Sequence, residues 1–140
     1  MSDVIDPKAP AAVEVKGGVV PYLSLDGAAK AAAFYEKAFG AVVAAQYPPD
    51  ENGKTMHIHL YVNGGSLMLS DGYPEHGAPA LPAQGYSLML PVADIQAWFK
   101  RAVDAGAEAK MPPEKMFWGD IYGEVRDPFG VTWSMNQQAA

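Results

Sequence analysis

The chain has 140 residues, of which 49% are hydrophobic and 19% charged, and this balance predicts a globular domain with a core. Sixteen acidic residues outnumber ten basic ones and no basic run occurs, which argues against nucleic acid as a partner. The absence of cysteine excludes disulfides, thiolate metal sites and cysteine nucleophiles, and favours a cytoplasmic location. No apolar run reaches membrane-spanning length, so we expect no membrane insertion.

Residues 1–16 are expected to form a flexible leader. They include Pro7 and Pro10, together with acidic residues and several alanines, and they contain no apolar segment of the signal-peptide type. The predicted folded domain therefore covers residues 17–140.

The first predicted module covers about residues 17–71. An alternating strand at 19–25 precedes a helix that Asp26 can cap and Gly40 can close. Short strands follow at 41–46, 56–62 and 66–70, the last two joined by a hairpin turn at Asn63-Gly64. The helix carries apolar residues at helical spacing, which predicts one buried stripe: Ala31, Phe34, Tyr35, Ala38 and Phe39.

The strand predicted at 56–62 alternates between two kinds of side chain. Side chains at alternate positions of a strand project to opposite faces of the sheet. One face is therefore predicted to be apolar and the other polar and aromatic, with Met56, Ile58, Leu60 and Val62 on the first and His57, His59 and Tyr61 on the second.

The second predicted module, at about 85–138, repeats this order after a proline-containing linker. A strand at 86–92 leads to a helix capped by Asp94 and ended by Gly106, and strands follow at 107–111, 120–126 and 131–136, with a loop at 112–118. Phe34-Tyr35 corresponds to Trp98-Phe99 at a spacing of roughly 65 residues, as expected for a duplicated unit.

The duplication predicts an α+β fold of two βαβββ modules whose curved mixed sheets enclose a cavity suited to a small ligand. Phe34, Phe39, Trp98 and Phe99 are predicted to be buried, with a loss of about 3–5 kcal/mol for Trp98→Ala.

Two segments, Phe34 to Gly40 and Asp127-Pro128-Phe129-Gly130, give the chain its resemblance to a known family. It resembles the vicinal oxygen chelate superfamily, which includes glyoxalase I, bleomycin-resistance proteins and extradiol dioxygenases. More narrowly, it is similar to the PhnB-like branch. That similarity is carried by Val20-Pro21-Tyr22-Leu23, Met56-His57 and the segments 67–71 and 116–120.

The resemblance implies a divalent metal held by four His, Gln or Glu side chains, from the first and last strands of each module. The matching positions here are Val20 or Pro21, Ser70 or Met68, Ser87 and Ser134. A divalent ion of this kind needs carboxylate, imidazole or amide ligands, and a hydroxyl is a poor substitute. We therefore expect no metal and no cofactor at the inherited site.

Four residues are the predicted ligand-binding set: His57, His59, Trp118 and Tyr122. The two histidines share a strand face, where they could line a pocket, form an inert wall or bind a metal. His76 lies in the linker and is a poor third ligand. Trp118 and Tyr122 follow the second proline-rich loop and could stack on a ligand or pack within that loop.

Further polar residues have two readings each. Asp120 could orient a ligand or accept turn amides, and Glu124 and Arg126 alternate with Val125, so they could face the cavity or solvent. No catalytic set can be assigned from these residues.

The favoured hypothesis is a small-molecule binding protein without the inherited metal, which forms a homodimer to cover its sheet edges. The alternative is a metal-dependent lyase, isomerase or dioxygenase of the same superfamily, using His57, His59 and an acidic partner. A third reading is an interaction protein whose dimer surface is its function.

Overall fold

The computed structural model describes residues 13–140, along which the order strand, helix and three strands occurs twice, and these residues form two compact units. The first unit comprises the described residues up to Ala33 together with Ala41–Ala80, and the second comprises Phe34–Gly40 together with Leu81–Ala140. Of the predicted leader, residues 1–12 lie outside the described residues, whereas the Lys16 N–H donates to Ser66 Oγ at 2.7 Å. Within residues 13–140, neither helix is long and apolar enough to cross a membrane.

The first sheet has the order β1-β4-β3-β2, with β1 parallel to β4 and the other neighbours antiparallel. Its strands and the first helix are β1 Tyr22–Leu25, α1 Ala28–Phe39, β2 Val42–Gln46, β3 Ile58–Val62 and β4 Gly65–Asp71. A short 3₁₀ helix, Pro74–His76, follows β4.

The second sheet repeats this topology in the order β5-β8-β7-β6, with β5 parallel to β8. Its elements are β5 Leu88–Pro91, α2 Ile95–Ala105, β6 Glu108–Lys115, β7 Ile121–Arg126 and β8 Thr132–Gln137. The predicted α+β class with two βαβββ modules is confirmed.

The start of α1 is held by a carboxylate from β4. Oδ1 of Asp71 accepts hydrogen bonds from the N–H groups of Gly27 (2.9 Å) and Ala28 (3.1 Å), and Oδ2 accepts one from Thr55 (2.7 Å). The N–H groups of Gly27 and Ala28 are among those that the start of a helix leaves without a partner. Asp71, and not the predicted Asp26, therefore supplies the carboxylate.

The helix α2 begins as the sequence indicates. Oδ1 of Asp94 accepts a hydrogen bond from the N–H of Ala97 at 3.2 Å, which is the interaction expected of an N-cap aspartate. At the other end, Gly106 has a φ of 121°, and its N–H bonds to Ala102 and Val103.

Strand β6 departs from the prediction, because it runs through Pro112-Pro113, where a loop was expected. It is an edge strand, and its register with β7 shifts between Ala109 and Met111 and again between Met111 and Glu114. Prolines, which lack an N–H donor, are tolerated at edges and bulges. The bulged backbone comes so close to Gly123 that a Cβ there would lie 3.0 Å from the Met111 carbonyl oxygen.

Burial of the helix aromatics differs from the prediction. Phe39 is buried as expected, whereas Phe34, Trp98 and Phe99 are partly exposed. On α2 the buried positions are Ile95 and Ala102, seven residues apart. Ile95 and Ala102 lie almost directly above one another along the helix. Trp98 and Phe99, three and four residues after Ile95, lie on either side of the line that joins them. The four most buried members of the predicted α1 stripe are Ala31, Tyr35, Ala38 and Phe39.

Candidate functional site

In the first unit, the strands place several polar and aromatic residues on one face of the sheet. Ile58, Leu60 and Val62 of β3 are buried on one face, as predicted, whereas Met56 precedes the strand and is 54% exposed. On the other face, His59 pairs with Met68, which pairs in turn with Tyr22 of β1. Side chains of directly paired residues project to the same side, so Tyr22, Met68 and His59 share this face.

His57, immediately before β3, is half-buried among tyrosines. Its Nδ1 lies 3.1 Å from the hydroxyl of Tyr22, and its ring centroid lies 5.7 Å from that of Tyr47. Tyr22 and Tyr47 are 53% and 41% exposed. These three residues form the Tyr22–His57–Tyr47 cluster, which is accessible to solvent and rich in ring surface.

The electrostatics of this cluster favour neutral groups. Partial burial, and secondarily the proximity of His59, lowers the pKa of His57 below its ordinary value of 6.5. Burial and Tyr47 raise the pKa of Tyr22. The cluster therefore presents an uncharged imidazole and a protonated phenol at neutral pH. It offers hydrogen bonds and ring stacking but no charge.

His59 shares the face but is only 2% exposed. Its Nε2 lies 2.7 Å from Ser66 Oγ, which accepts the Lys16 N–H, and its ring lies 5.1 Å from that of Tyr61. The ammonium of Lys16 stands 4.3 Å above the Tyr61 ring. His59 is thus held by its neighbours, while His57 is the accessible histidine of the predicted pair.

In the second unit, Trp118 lies in a tight turn between β6 and β7. Trp118 is 51% exposed and Phe117 is 97% exposed, with ring centroids 4.9 Å apart. The Trp118 ring lies 6.4 Å from that of Tyr122. Asp120 fixes the turn by accepting hydrogen bonds from Asn136 Nδ2 and the Ala139 N–H, which lower the pKa of its carboxyl group.

Tyr122 is part of a line of polar groups across β7 and β8. Its hydroxyl donates to Oε2 of Glu124 at 2.9 Å, and its pKa is raised, chiefly by burial and then by this bond. Glu124 pairs with Ser134, whose hydroxyl lies 3.0 Å from that of Ser87. Glu124 also borders a pocket of about 480 Å³ within this unit.

The positions matched to the family's metal ligands can be tested by their chemistry. Asp71 of β4 accepts the N–H of Ala28 at the start of α1, and Gln137 of β8 accepts that of Ile95 at the start of α2. Counting back three residues from each, Met68, and not Ser70, matches Ser134. In the second unit, the Ser87 and Ser134 hydroxyls contact each other. Hydroxyls and a thioether are poor ligands for the divalent ions in question, so these residues do not fit the implied metal.

The histidines do not form an evident replacement site. Within residues 13–140, no group of three His, Cys, Asp or Glu side chains is placed to hold a metal ion. His76 ends the 3₁₀ helix after β4 and is exposed, with its ring 6.1 Å from that of Tyr73.

Four residues of these surfaces were not among the predicted site residues: Tyr22 and Tyr47 beside His57, and Tyr86 and Lys110 in the lining of the pocket beside Glu124. The alternation of Tyr22 and Ser24 with buried Leu23 and Leu25 was a usable signal for Tyr22. No comparable signal exists for Lys110, because bulges interrupt the alternation of β6.

Comparison with known proteins places this fold among established relatives. The family model described as Glyoxalase/Bleomycin resistance protein/Dioxygenase superfamily matches residues 23–135. The Mycobacterium tuberculosis protein Rv0887c is 41% identical over 133 residues, which cover 90% of this chain and 77% of that protein.

Two solved structures illustrate the structural similarity. Protein PA1353 from Pseudomonas aeruginosa matches with a TM-score of 0.70 and 31% identity, covering 87% of this chain and 98% of that chain. TnmS3, an antibiotic binding protein from Streptomyces sp. CB03234, matches with a TM-score of 0.65 and 23% identity, covering 92% and 98%. At that lower identity the likeness concerns the fold alone.

Proposed function

Because this chain belongs to the glyoxalase/bleomycin resistance protein/dioxygenase superfamily, we propose that it is a small-molecule binding protein that functions without the inherited metal site. One observation carries the proposal. Two positions that would supply metal ligands are Ser87 and Ser134, and their hydroxyls bond to each other at 3.0 Å.

The environment of these serines argues against a divalent ion there. Ser134 is 2% exposed, so an ion beside it would lose most of its hydration. Removing an ion from water is costly unless charged or strongly coordinating ligands replace the water. Two hydroxyls that already satisfy each other do not provide that replacement.

The proposed ligand-binding residues remain His57, His59, Trp118 and Tyr122. His57 supplies a neutral imidazole between two accessible tyrosines, and His59 acts behind it by lowering its pKa. Trp118 offers an exposed ring, and Tyr122 a phenol that donates to Glu124. Aromatic surface with a few placed polar groups suits a ring-bearing organic ligand.

Antibiotic binding is a property of TnmS3, and its likeness to this chain supports only the view that such a fold can carry a binding site. We further propose membership of the PhnB-like branch on the Val20-Pro21-Tyr22-Leu23 and Met56-His57 motifs. A homodimer that covers the sheet edges and a location in the cytoplasm complete the proposal.

The competing function is a metal-dependent lyase, isomerase or dioxygenase. It is favoured by the electrostatic interaction of His57 with His59 on one sheet face. Such an enzyme would need at least one further ligand beyond the two imidazoles.

Metal content and ligand binding decide between the two. The experiment uses protein purified without a tag or chelator, as wild type and as the double variant His57→Ala, His59→Ala. His76→Ala, which removes an exposed histidine, is the matched control. We expect less than one metal ion per chain in all three proteins. We also expect that some compounds in a screen of small organic molecules bind the wild type and raise its Tm.

Stoichiometric metal in the wild type would contradict the proposal. If the metal is lost in the double variant, the histidines bind it and the metal-dependent enzyme is supported. If the metal remains in the double variant, the argument that the inherited positions are poor ligands also fails. Hits that stabilise the wild type, but stabilise the double variant less, would support the assignment of the histidines.

A further inference from the structure

The pocket beside Glu124 is an open hollow lined by residues of the second unit alone. It lies at the polar face of β7 and β8 next to the segment that leads into β5, and its volume is about 480 Å³. Small-molecule pockets usually measure about 300–1,000 Å³. The lining groups that can recognise a ligand are Tyr86, Ser87, Lys110, Glu124, Arg126 and Thr132.

The pocket is lined by charges of both signs, and no ion pair joins them within the described residues. Glu124 faces it together with Lys110 and Arg126. The ion pair formed within residues 13–140 joins Lys100 to Asp104 on α2, away from this lining. An acid and two bases that line one hollow without pairing remain free to pair with a ligand.

Glu124 is oriented for such a role. Tyr122 donates its hydroxyl hydrogen to Oε2 of Glu124, which fixes the carboxylate and leaves Oε1 to accept another donor. A phenol whose pKa is raised stays protonated and keeps this donor role at neutral pH. A ligand ammonium is a donor that matches both the charge and the geometry of Oε1.

The remaining lining residues define the rest of the ligand. The side chain of Tyr86 is 52% exposed and offers a ring face. Arg126 presents a forked donor that fits a carboxylate, and Lys110 adds a second cation. Ser87 and Thr132 contribute hydroxyls at the same surface.

We propose that this pocket binds a small zwitterion with a flat ring, its ammonium at Glu124, its carboxylate at Arg126 and Lys110, and its ring on Tyr86. The inference rests on the proposed binding function and adds to the residues proposed there a charged pocket with a ligand class of its own. A molecule with only one of the two charges would leave the opposite lining charge unpaired, so the pocket discriminates by charge pattern.

Three indole compounds test the charge pattern directly: L-tryptophan carries both charges, tryptamine only the ammonium, and 3-indolepropionate only the carboxylate. Calorimetric titration of the full chain is expected to show saturable binding of L-tryptophan. Each singly charged compound should bind at least about tenfold more weakly, the change expected for losing one charge-assisted hydrogen bond.

Two substitutions assign the charges. Glu124→Gln is expected to weaken binding of L-tryptophan and tryptamine and to leave that of 3-indolepropionate unchanged. Arg126→Gln is expected to weaken binding of L-tryptophan and 3-indolepropionate and to leave that of tryptamine unchanged. Glu75→Gln and Lys30→Gln, at exposed positions outside the lining, are the charge-matched controls and should leave all three affinities unchanged.

Absence of saturable L-tryptophan binding up to about 10 mM would overturn the inference, because millimolar Kd values are the weak limit of a specific site. Equal binding by wild type, Glu124→Gln and Arg126→Gln would overturn it as well. If a hit from the organic-molecule screen stabilises both variants as strongly as wild type, the binding function stands and this pocket is not its site. If no compound binds the wild type, the proposed function itself fails.

Discussion

The hydroxyl of Tyr35 donates a 2.6 Å hydrogen bond to Oδ2 of Asp127 in the second unit. The same oxygen accepts the Trp133 indole N–H at 2.9 Å, and Oδ1 accepts the N–H groups of Phe129 and Val131, each at 2.9 Å. Asp127 is 4% exposed, so its buried carboxylate is satisfied by four donors. The Asp-Pro-Phe-Gly segment, which carries the family resemblance, therefore has a structural role.

This arrangement predicts a stability cost for each partner removed. Tyr35→Phe should lower the free energy of unfolding by about 1–3 kcal/mol, because a buried acceptor loses one of its donors. Asp127→Ala should cost more than Tyr35→Phe, because it leaves four donors without an acceptor. Urea titration measures both. Tyr47→Phe, at a 41% exposed tyrosine, is the control and should change stability by less than about 0.5 kcal/mol. Equal stability of Tyr35→Phe and wild type would contradict the assigned role.

Alkaline pH should destabilise the protein through the same residue. Burial, and secondarily Asp127, raises the pKa of Tyr35 well above its ordinary value of 10.0. Above pH 10 the unfolded chain therefore releases this proton while the folded chain retains it, so stability falls as pH rises. Stability measured by urea titration at pH 8–11 should decline less steeply for Tyr35→Phe than for wild type. Parallel curves would show that another group controls the transition.

Two tryptophans should differ in their contribution to stability. Trp133 is 2% exposed and contacts the rings of Tyr35 and Phe39 at centroid distances of 5.2 and 4.6 Å, whereas Trp98 is partly exposed. Trp133→Ala should cost about 3–5 kcal/mol, the range for a large buried aromatic. Trp98→Ala should cost less than the 3–5 kcal/mol first expected from its position on the helix. Denaturant titration of the two variants in parallel checks the order, and a larger loss at Trp98 would reverse this reading of α2.

The source of the α1 cap gives a further contrast. Asp71→Ala removes the acceptor for three N–H groups and should destabilise the protein by about 1–3 kcal/mol. Asp26→Ala removes an exposed carboxylate one residue before Gly27 and should cost less than about 0.5 kcal/mol. Thermal and urea unfolding of both variants measures the difference. A greater loss of stability in Asp26→Ala than in Asp71→Ala would show that Asp26 caps α1.

The sequence was sufficient for features that depend on local periodicity. The alternation of Ile58, Leu60 and Val62 and the helical spacing of Tyr35 and Phe39 predicted buried faces that the structure contains. Apolar residues at every second position of a strand, or at 3.6-residue spacing in a helix, lie on one face of the element. Such a pattern therefore predicts which side chains are buried.

Features that depend on distant parts of the chain were not predictable in this way. Asp71 caps a helix that begins 43 residues before it, a pairing set by the parallel register of β1 and β4. Strand β6 continues through Pro112-Pro113 because it lies at an edge, and edge position is a property of the sheet order. The charged residues of the pocket come from two strands, Lys110 from β6 and Glu124 and Arg126 from β7. The register between these strands is shifted by bulges, so alternation along the sequence does not indicate which way Lys110 faces.

The last prediction concerns the charge state of His57. Its pKa is lowered by partial burial and by His59, so it should titrate below 6.5 in the folded protein. The depressed pKa means that the unfolded chain takes up this proton first, so the stability contributed by neutral His57 is present above pH 6.5 and decreases as pH falls. NMR titration of the His57 ring signals in the folded protein measures this pKa. His59→Ala should raise the pKa of His57 only in part, because burial is the larger cause and remains. A pKa for His57 at or above 6.5 would show that the Tyr22–His57–Tyr47 cluster is not the neutral surface on which the proposed ligand site depends.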